Sequence, residues 1–449
     1  PGLFEALAAR GPEVVRRYPD RADLEAALAE RVGLEPAAVL VTAGADDALD
    51  RLCRAYLEPG RNLVVATPTF EMIPRYARLS GAEVRTTPWP SDGFPVDDVL
   101  ALADGDTGII AVVTPNNPTG QVATADDLRR LSEGAPGALL LVDLAYGEFA
   151  DVDLMPAVLA LPNTVGVRSM SKAWGLAGLR VGWAAGPVDL ITPLRAAGGP
   201  YAVAGPSLAL ALDSLADETG VDEFTSAIRN ERLQLSEDLR DLGAEPVPPQ
   251  GNFVYARFDD PGWVRDGLAG MGIGVRLFDA EPGPGPLRIS CPGRPAEFER
   301  LRDGLRTVME PEALLFDMDG VLADVSVSYR RTILETAESF GETFTTAVVA
   351  EAKRRPGSNN DWVLTQGLLA SCGVAVDLDT IVDRFQEIYL GLADQERLIP
   401  DRALLERLAD RLPLAVVTGR PCGDARLVLD RLGLVDLFQS VVCREVGPG

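Results

Sequence analysis

The chain has 449 residues, 47% of them hydrophobic and 24% charged, so it can bury large cores, and its length suggests about three domains or lobes. A net charge of −25 argues against nucleic acid or an anionic membrane as a main partner, while leaving room for phosphorylated small molecules in a locally positive pocket. The absence of histidine excludes Ser/His/Asp and Cys/His nucleophiles and imidazole-bound zinc, and only Lys172 and Lys353 carry a side-chain amine.

No apolar run approaches the ~18 residues of a membrane span. The opening PGLFEALAARGPEVV lacks the basic-then-apolar pattern of a secretory leader. The five cysteines are scattered and make neither a disulfide framework nor a CxxC site, so the cytoplasm is the expected compartment.

Between about 38 and 190, amphipathic helical stretches alternate with the short runs AAVLVTAG, NLVVATP, GIIAVVTP, ALLLVDLA and TVGVRS. This rhythm predicts an α/β fold, a mostly parallel sheet with helices on both faces. AVLVTAG runs into the helical stretch ADDALDRLCRAYL. The N–H groups of Ala45 and Asp46 would then point out of a helix N-terminus, where anions bind. Phe70, in TPTF, suits core packing or stacking on a ligand ring. VVTPNNPTG puts Asn116 and Asn117 at another strand end, with an amide to donate. ALLLVD ends in Asp143, with Tyr146 three residues on. An aspartate leaving an apolar strand is costly without a cationic partner.

Lys172 follows the next strand, in SMSKAWGLAGLRVGW. Ser169, Ser171 and Arg180 surround it with hydroxyls and a guanidinium, a set that suits a phosphate dianion. A lysine amine can form a Schiff base with an aldehyde cofactor. Pyridoxal phosphate needs such an amine, an acid facing its ring nitrogen and a phosphate cradle. From about 205 to 309 the pattern changes to one long helical stretch and then strands such as NFVYARF and LRIS, which predicts a smaller α+β lobe.

Taken together, residues 1–309 resemble the fold-type I pyridoxal-phosphate aminotransferases, and most of all the histidinol-phosphate aminotransferases. The resemblance implies a large lobe at about 38–200 and a small lobe formed by 1–37 and 201–309. It makes Lys172 the Schiff-base lysine and Asp143 the partner of the ring nitrogen. Asn117 and Tyr146 would bind the cofactor's phenolic oxygen, and Phe70 would stack on its ring. Ala45, Asp46, Ser169, Ser171 and Arg180 would hold its phosphate. Tyr18, in RRYPD, matches a tyrosine that reaches the phosphate of the neighbouring subunit, which implies a homodimer. Arg288, in LRIS, matches the arginine that grips a substrate α-carboxylate. Arg276, in GVRLF, matches one that contacts the phosphate of histidinol phosphate. The implied substrates are a phosphorylated amine or amino acid and a keto acid. Two departures stand out. Phe70 replaces the family's usual tyrosine, and the family's Asn-Glu-Asn segment does not occur in this chain. Relatives that decarboxylate phosphothreonine, or that act in natural-product pathways, set the alternative reaction.

MEPEA (309–313) marks a break, and ALLFDMDGVLAD restarts an α/β unit. Asp317 ends its strand and Asp319 lies two residues on. Two carboxylates at this spacing can act as nucleophile and general acid/base, and both offer oxygens to Mg²⁺. LAVVTGRP places Thr418 after another apolar strand, where its hydroxyl can donate to a phosphate. Residues 314–449 thus resemble a truncated haloacid-dehalogenase-superfamily phosphatase with a helical cap at about 325–398. The resemblance makes Asp317 the nucleophile, Asp319 the proton donor and Thr418 the phosphate ligand, with Mg²⁺ on the two aspartates. The superfamily's core lysine and later acidic pair do not occur here. Lys353 falls in the cap and reads as a solvated surface charge. SNNDW (358–362) reads as a helix cap, with substrate contact as the alternative.

Overall fold

The computed structural model describes residues 2–279, 284–354 and 360–444. It divides the chain into two compact units, Pro1–Met309 and Glu310–Gly449.

The first unit is built on seven strands: β1 (Val39–Thr42), β2 (Asn62–Thr67), β3 (Glu83–Pro88), β4 (Thr107–Val113), β5 (Leu139–Asp143), β6 (Thr164–Ser169) and β7 (Gly182–Ala185). Their order in the sheet is β1-β7-β6-β5-β4-β2-β3. Only β7 runs against its neighbours, pairing antiparallel with β1 and with β6. The other six therefore point the same way and release their chains at one edge of the sheet. Strands β1, β4, β5, β6 and β7 are buried along their whole length, because helices cover both faces. Two apolar cores result, one on each face.

Two strands fall outside the apolar runs of the sequence. EVRTTP forms the edge strand β3, with only one fully buried residue. GWAA forms β7, whose Gly and Ala have little strand preference and which pairing on both sides holds extended.

The smaller lobe holds β8 (Glu245–Pro246), β9 (Phe253–Arg257), β10 (Arg276–Asp279) and β11 (Pro284–Ser290), ordered β10-β11-β9-β8. Two expectations need correction. The long helical stretch is two helices, Gly205–Ala216 and Thr219–Asp241, parted at Asp217–Glu218. In addition, Leu24, Leu28 and Ala29 of the helix Ala22–Val32, together with Leu208 and Ala211, sit in the core of the large sheet rather than the small one. These apolar residues cover β1 and its neighbours, so segments expected in the small lobe belong by packing to the large one.

The second unit has a parallel sheet of β12 (Leu314–Phe316), β15 (Leu414–Val417) and β16 (Ser440–Val442), in the order β12-β15-β16. The short strands β13 (Ala323–Asp324) and β14 (Arg397–Leu398) pair antiparallel and bracket an insert. The insert contains the helices Tyr329–Ser339, Thr346–Lys353, Asp361–Ser371 and Leu378–Leu392, packed on cores of their own.

Candidate functional site

At the shared edge of the large sheet lies a cavity of about 280 Å³. Its wall includes Ala45, Asp46, Phe70, Asn117, Asp143, Tyr146, Ser169, Ser171, Lys172, Arg180, Arg276 and Arg288. The topology explains the convergence: the turns after β1, β2, β4, β5 and β6 all open at this edge.

β1 turns at Gly44, whose φ of 84° suits only glycine, into the helix α1 (Ala45–Tyr56). A Cβ on Gly44 would lie 2.5 Å from Nη2 of Arg180, so the missing side chain also makes room for that guanidinium. Arg180 itself is held left-handed, at φ 54°. It is the one non-glycine residue in that region among those described, and the strain is of the kind that gathers at functional sites. From there it donates to Ser171 Oγ at 3.4 Å and to the Asp46 carboxylate at 3.2 Å. Ser169 Oγ accepts from the Ser171 N–H at 3.1 Å, which fixes the loop that carries Lys172. The first N–H groups of α1, two hydroxyls and one guanidinium thus gather at one part of the cavity wall, a cup of donors of the kind that binds anions.

Asp143 ends β5 and is only 3% exposed. Its Oδ1 accepts the Ala145 N–H at 3.0 Å. Burial is the largest influence on its carboxyl and pushes it up to about 6. The Ala145 N–H lowers it, Asp46 raises it and Lys172 lowers it. A buried acid with so little compensation is a seat for a cation. The Lys172 amine lies 5.4 Å from the centre of the Tyr146 ring. That ring packs edge-on against Phe253 of the small lobe, 5.2 Å away.

The two asparagines separate. Asn117 faces the cavity, and its side-chain oxygen accepts from Arg288. Asn116 is fully buried and donates to the Pro68 carbonyl at 2.8 Å and to Thr119 at 2.9 Å, so it holds the turn and does not reach a ligand. Arg276 and Arg288 stand directly opposite each other across β10 and β11. Tyr18 does not line this cavity. It is 80% exposed and stacks on Tyr201, with ring centres 4.6 Å apart. A residue not singled out from the sequence is Glu71, which pairs with Arg276 at 3.4 Å. Its signal was a carboxylate directly after Phe70.

In the second unit, Asp317 and Thr418 lie just past the ends of the adjacent parallel strands β12 and β15. Arg420 changes the expectation for Asp319. Its guanidinium is buried and donates to Asp319 Oδ1 at 2.5 Å, to Tyr389 at 2.9 Å and to Glu396 at 3.1 Å. Asp319 is therefore held in an ion pair with Arg420, a partner the sequence reading did not include. Lys353 is not a solvated surface charge: its side chain is about one-third exposed (35%) and it pairs with the mostly buried Asp361. Of SNNDW, Ser358 and Asn359 lie outside the described residues. Asn360 caps its helix, accepting from the N–H groups of Trp362 and Val363.

An amine beside a buried carboxylate, an anion cup and two facing arginines, at the edge of this sheet, place the fold in the class of fold-type I pyridoxal-phosphate-dependent aminotransferases. The sequence profile described as aminotransferase class I and II matches residues 6–305. The chain belongs to that family and is histidinol-phosphate-aminotransferase-like within it. It is 35% identical over 316 residues to a histidinol-phosphate aminotransferase of Rhodospirillum centenum, covering 68% of this chain and 87% of that one. It is 32% identical over 300 residues to histidinol-phosphate aminotransferase 1 of Dechloromonas aromatica, covering 66% and 83%. Its fold resembles the crystal structure of the Sinorhizobium meliloti histidinol-phosphate aminotransferase in complex with pyridoxal-5'-phosphate. That match has a TM-score of 0.64 at 26% identity, over 69% of this chain and 87% of that one.

Proposed function

We propose that the first unit transfers an amino group between histidinol phosphate and 2-oxoglutarate, as a homodimer with pyridoxal phosphate bound in the Lys172 cavity. The observation that carries this is the joint presence in one cavity of Lys172, buried Asp143, the anion cup and the two arginines. The residues present fit the cofactor. Asp143 offers a buried carboxylate to a ring nitrogen, and the room above Gly44 admits Arg180 to a phosphate.

When bound, pyridoxal phosphate supplies an aldehyde that captures amines and a ring that spreads the charge left when an α-proton departs. The chain's own groups do the rest. Lys172 Nζ would hold the cofactor's aldehyde carbon, and its amine is the group placed to take and return a substrate α-proton. Asp143 would face the ring nitrogen with its carboxylate and favour its protonated form. Asn117 and Tyr146 would steady the phenolic oxygen, and Phe70 would stack on the ring. Ala45, Asp46, Ser169, Ser171 and Arg180 anchor the phosphate. Arg288 would grip a substrate α-carboxylate, and Arg276 the phosphate of histidinol phosphate. Tyr18, largely exposed and outside its own cavity, is assigned to the partner subunit's phosphate.

The test begins with colour. The protein loaded with pyridoxal phosphate should absorb visible light, and Lys172→Ala should abolish that band. A colourless wild type that cannot be loaded overturns the reading. Amino transfer from glutamate to imidazole-acetol phosphate then tests the substrate. Carbon dioxide release from phosphothreonine, without transfer, would establish the decarboxylase alternative.

The second unit enters the proposal as a haloacid-dehalogenase-like phosphatase unit, suited in chemistry to a phosphorylated amino product. Its support is the placement of Asp317 and Thr418 past adjacent parallel strand ends, with a helical insert between them in sequence. Mg²⁺ does not fit the residues present. Asp319 is engaged by Arg420, and among the described residues no group of three or more His, Cys, Asp or Glu is placed to hold a metal. A docking role is the alternative for this unit.

A further inference from the structure

Arg276 and Arg288 form a directly opposed pair across the antiparallel strands β10 and β11. Like charges in that arrangement repel unless an anion answers them. Both guanidiniums lean on the same ring, 4.8 and 5.9 Å from the centre of Phe278. Their partners differ. Arg288 is turned inward and meets the neutral side-chain oxygen of Asn117 and the face of Phe253, 5.0 Å away. Burial lowers its guanidinium from the ordinary value, and Arg276 lowers it further. Arg276 meets a carboxylate, Glu71, at 3.4 Å. Glu71 follows Phe70, directly before the helix α2 (Met72–Leu79), so it stands beside the ring-stacking position at the mouth of the cavity.

We propose that Glu71 is a stand-in anion that sets the preference of this site between substrates that use Arg276 and those that use Arg288 alone. The inference rests on the reading above that Arg276 and Arg288 face substrate. With a singly anionic substrate on Arg288, Glu71 keeps Arg276 neutralised. A substrate with a second anionic group reaches Arg276 by displacing Glu71. The displacement is easy because the pair is exposed on both sides, at 52% and 71%, and such pairs hold weakly. It is still a cost that falls on any ligand whose anionic group must reach Arg276, and not on one that uses Arg288 alone. Glu71 is thus a specificity residue and takes no part in proton transfer.

Calorimetric titration of the pyridoxal-phosphate-loaded protein tests this with two keto acids, 2-oxoglutarate with two carboxylates and pyruvate with one. Neither carries an amine, so both report binding alone. In Glu71→Gln the Kd for 2-oxoglutarate should fall about three- to five-fold, and the gain should shrink at high salt. The Kd for pyruvate should stay within about twofold, since its one carboxylate goes to Arg288. Glu71→Ala should shift in the same direction. An unchanged affinity for 2-oxoglutarate, or an equal gain for both acids, overturns the inference alone. A wild type that binds neither acid overturns the substrate reading and this inference with it.

Discussion

The strongest constraint on single residues in this protein is charge in dry places, and Asp143 shows it best. Its folded carboxyl is pushed up to about 6, above the unfolded value near 4, chiefly by burial. A raised acid adds stability that is fully present below the unfolded value and lost as pH rises through the folded one. The cofactor-free protein should therefore lose about 2 kcal/mol from this group between about pH 4 and 7. Asp143→Asn stays neutral throughout. Urea unfolding of both cofactor-free proteins should give similar stabilities at pH 4, with the variant ahead at pH 7. Equal stabilities at both pH values would refute the burial account. The composition already pointed to such residues. With two lysines in 449 positions, the amine at Lys172 stood out, and its neighbours Ser169, Ser171 and Arg180 could be named from the sequence. Glu71 and Arg420 could not. What each of them meets, Arg276 for one and Asp319 with Glu396 for the other, lies far away in sequence. Lys353 escaped for another reason: Asp361 is close in sequence, but their ion pair depends on how two insert helices pack.

At the scale of elements, the apolar strands were legible because burial on both faces writes itself as continuous hydrophobic runs. Strand β7 was not, since GWAA carries no such signal, yet it is the strand that supports the anion cup. A Cβ on Gly182 would lie 2.4 Å from the Ala45 nitrogen and 2.4 Å from the Gly44 carbonyl carbon. Both are backbone atoms of the β1–α1 turn and cannot step aside as a flexible side chain can. Gly182→Ala should therefore push the N-terminus of α1 out of place and weaken pyridoxal phosphate binding about tenfold or more. Gly178 is a fair control, since a Cβ there meets nothing within 4 Å. An absorbance titration of both variants decides the point, and equal affinities would show that the turn tolerates the displacement. The boundary between the two helices at Asp217–Glu218 also escaped the sequence, because the helical stretches on either side read as continuous.

At the scale of the whole molecule, each unit has cores of its own. The apolar clusters of the first unit end at Met309, and those of the second begin at Leu314. The break at MEPEA was visible in the sequence because a strand, ALLFD, restarts after it. The family profile stops at the same place, matching 6–305. A chain with separate cores need not unfold as one. Pyridoxal phosphate contacts only the first unit in our proposal, so by mass action it should stabilise that unit alone. At one hundred times its Kd the gain is about 2.7 kcal/mol. Differential scanning calorimetry should accordingly resolve two transitions. Adding the cofactor should raise one of them by several degrees and leave the other in place. Lys172→Ala should reduce the rise without moving the unaffected transition. A single transition that shifts as a whole would mean that the two units fold as one cooperative body, despite cores that share no residue.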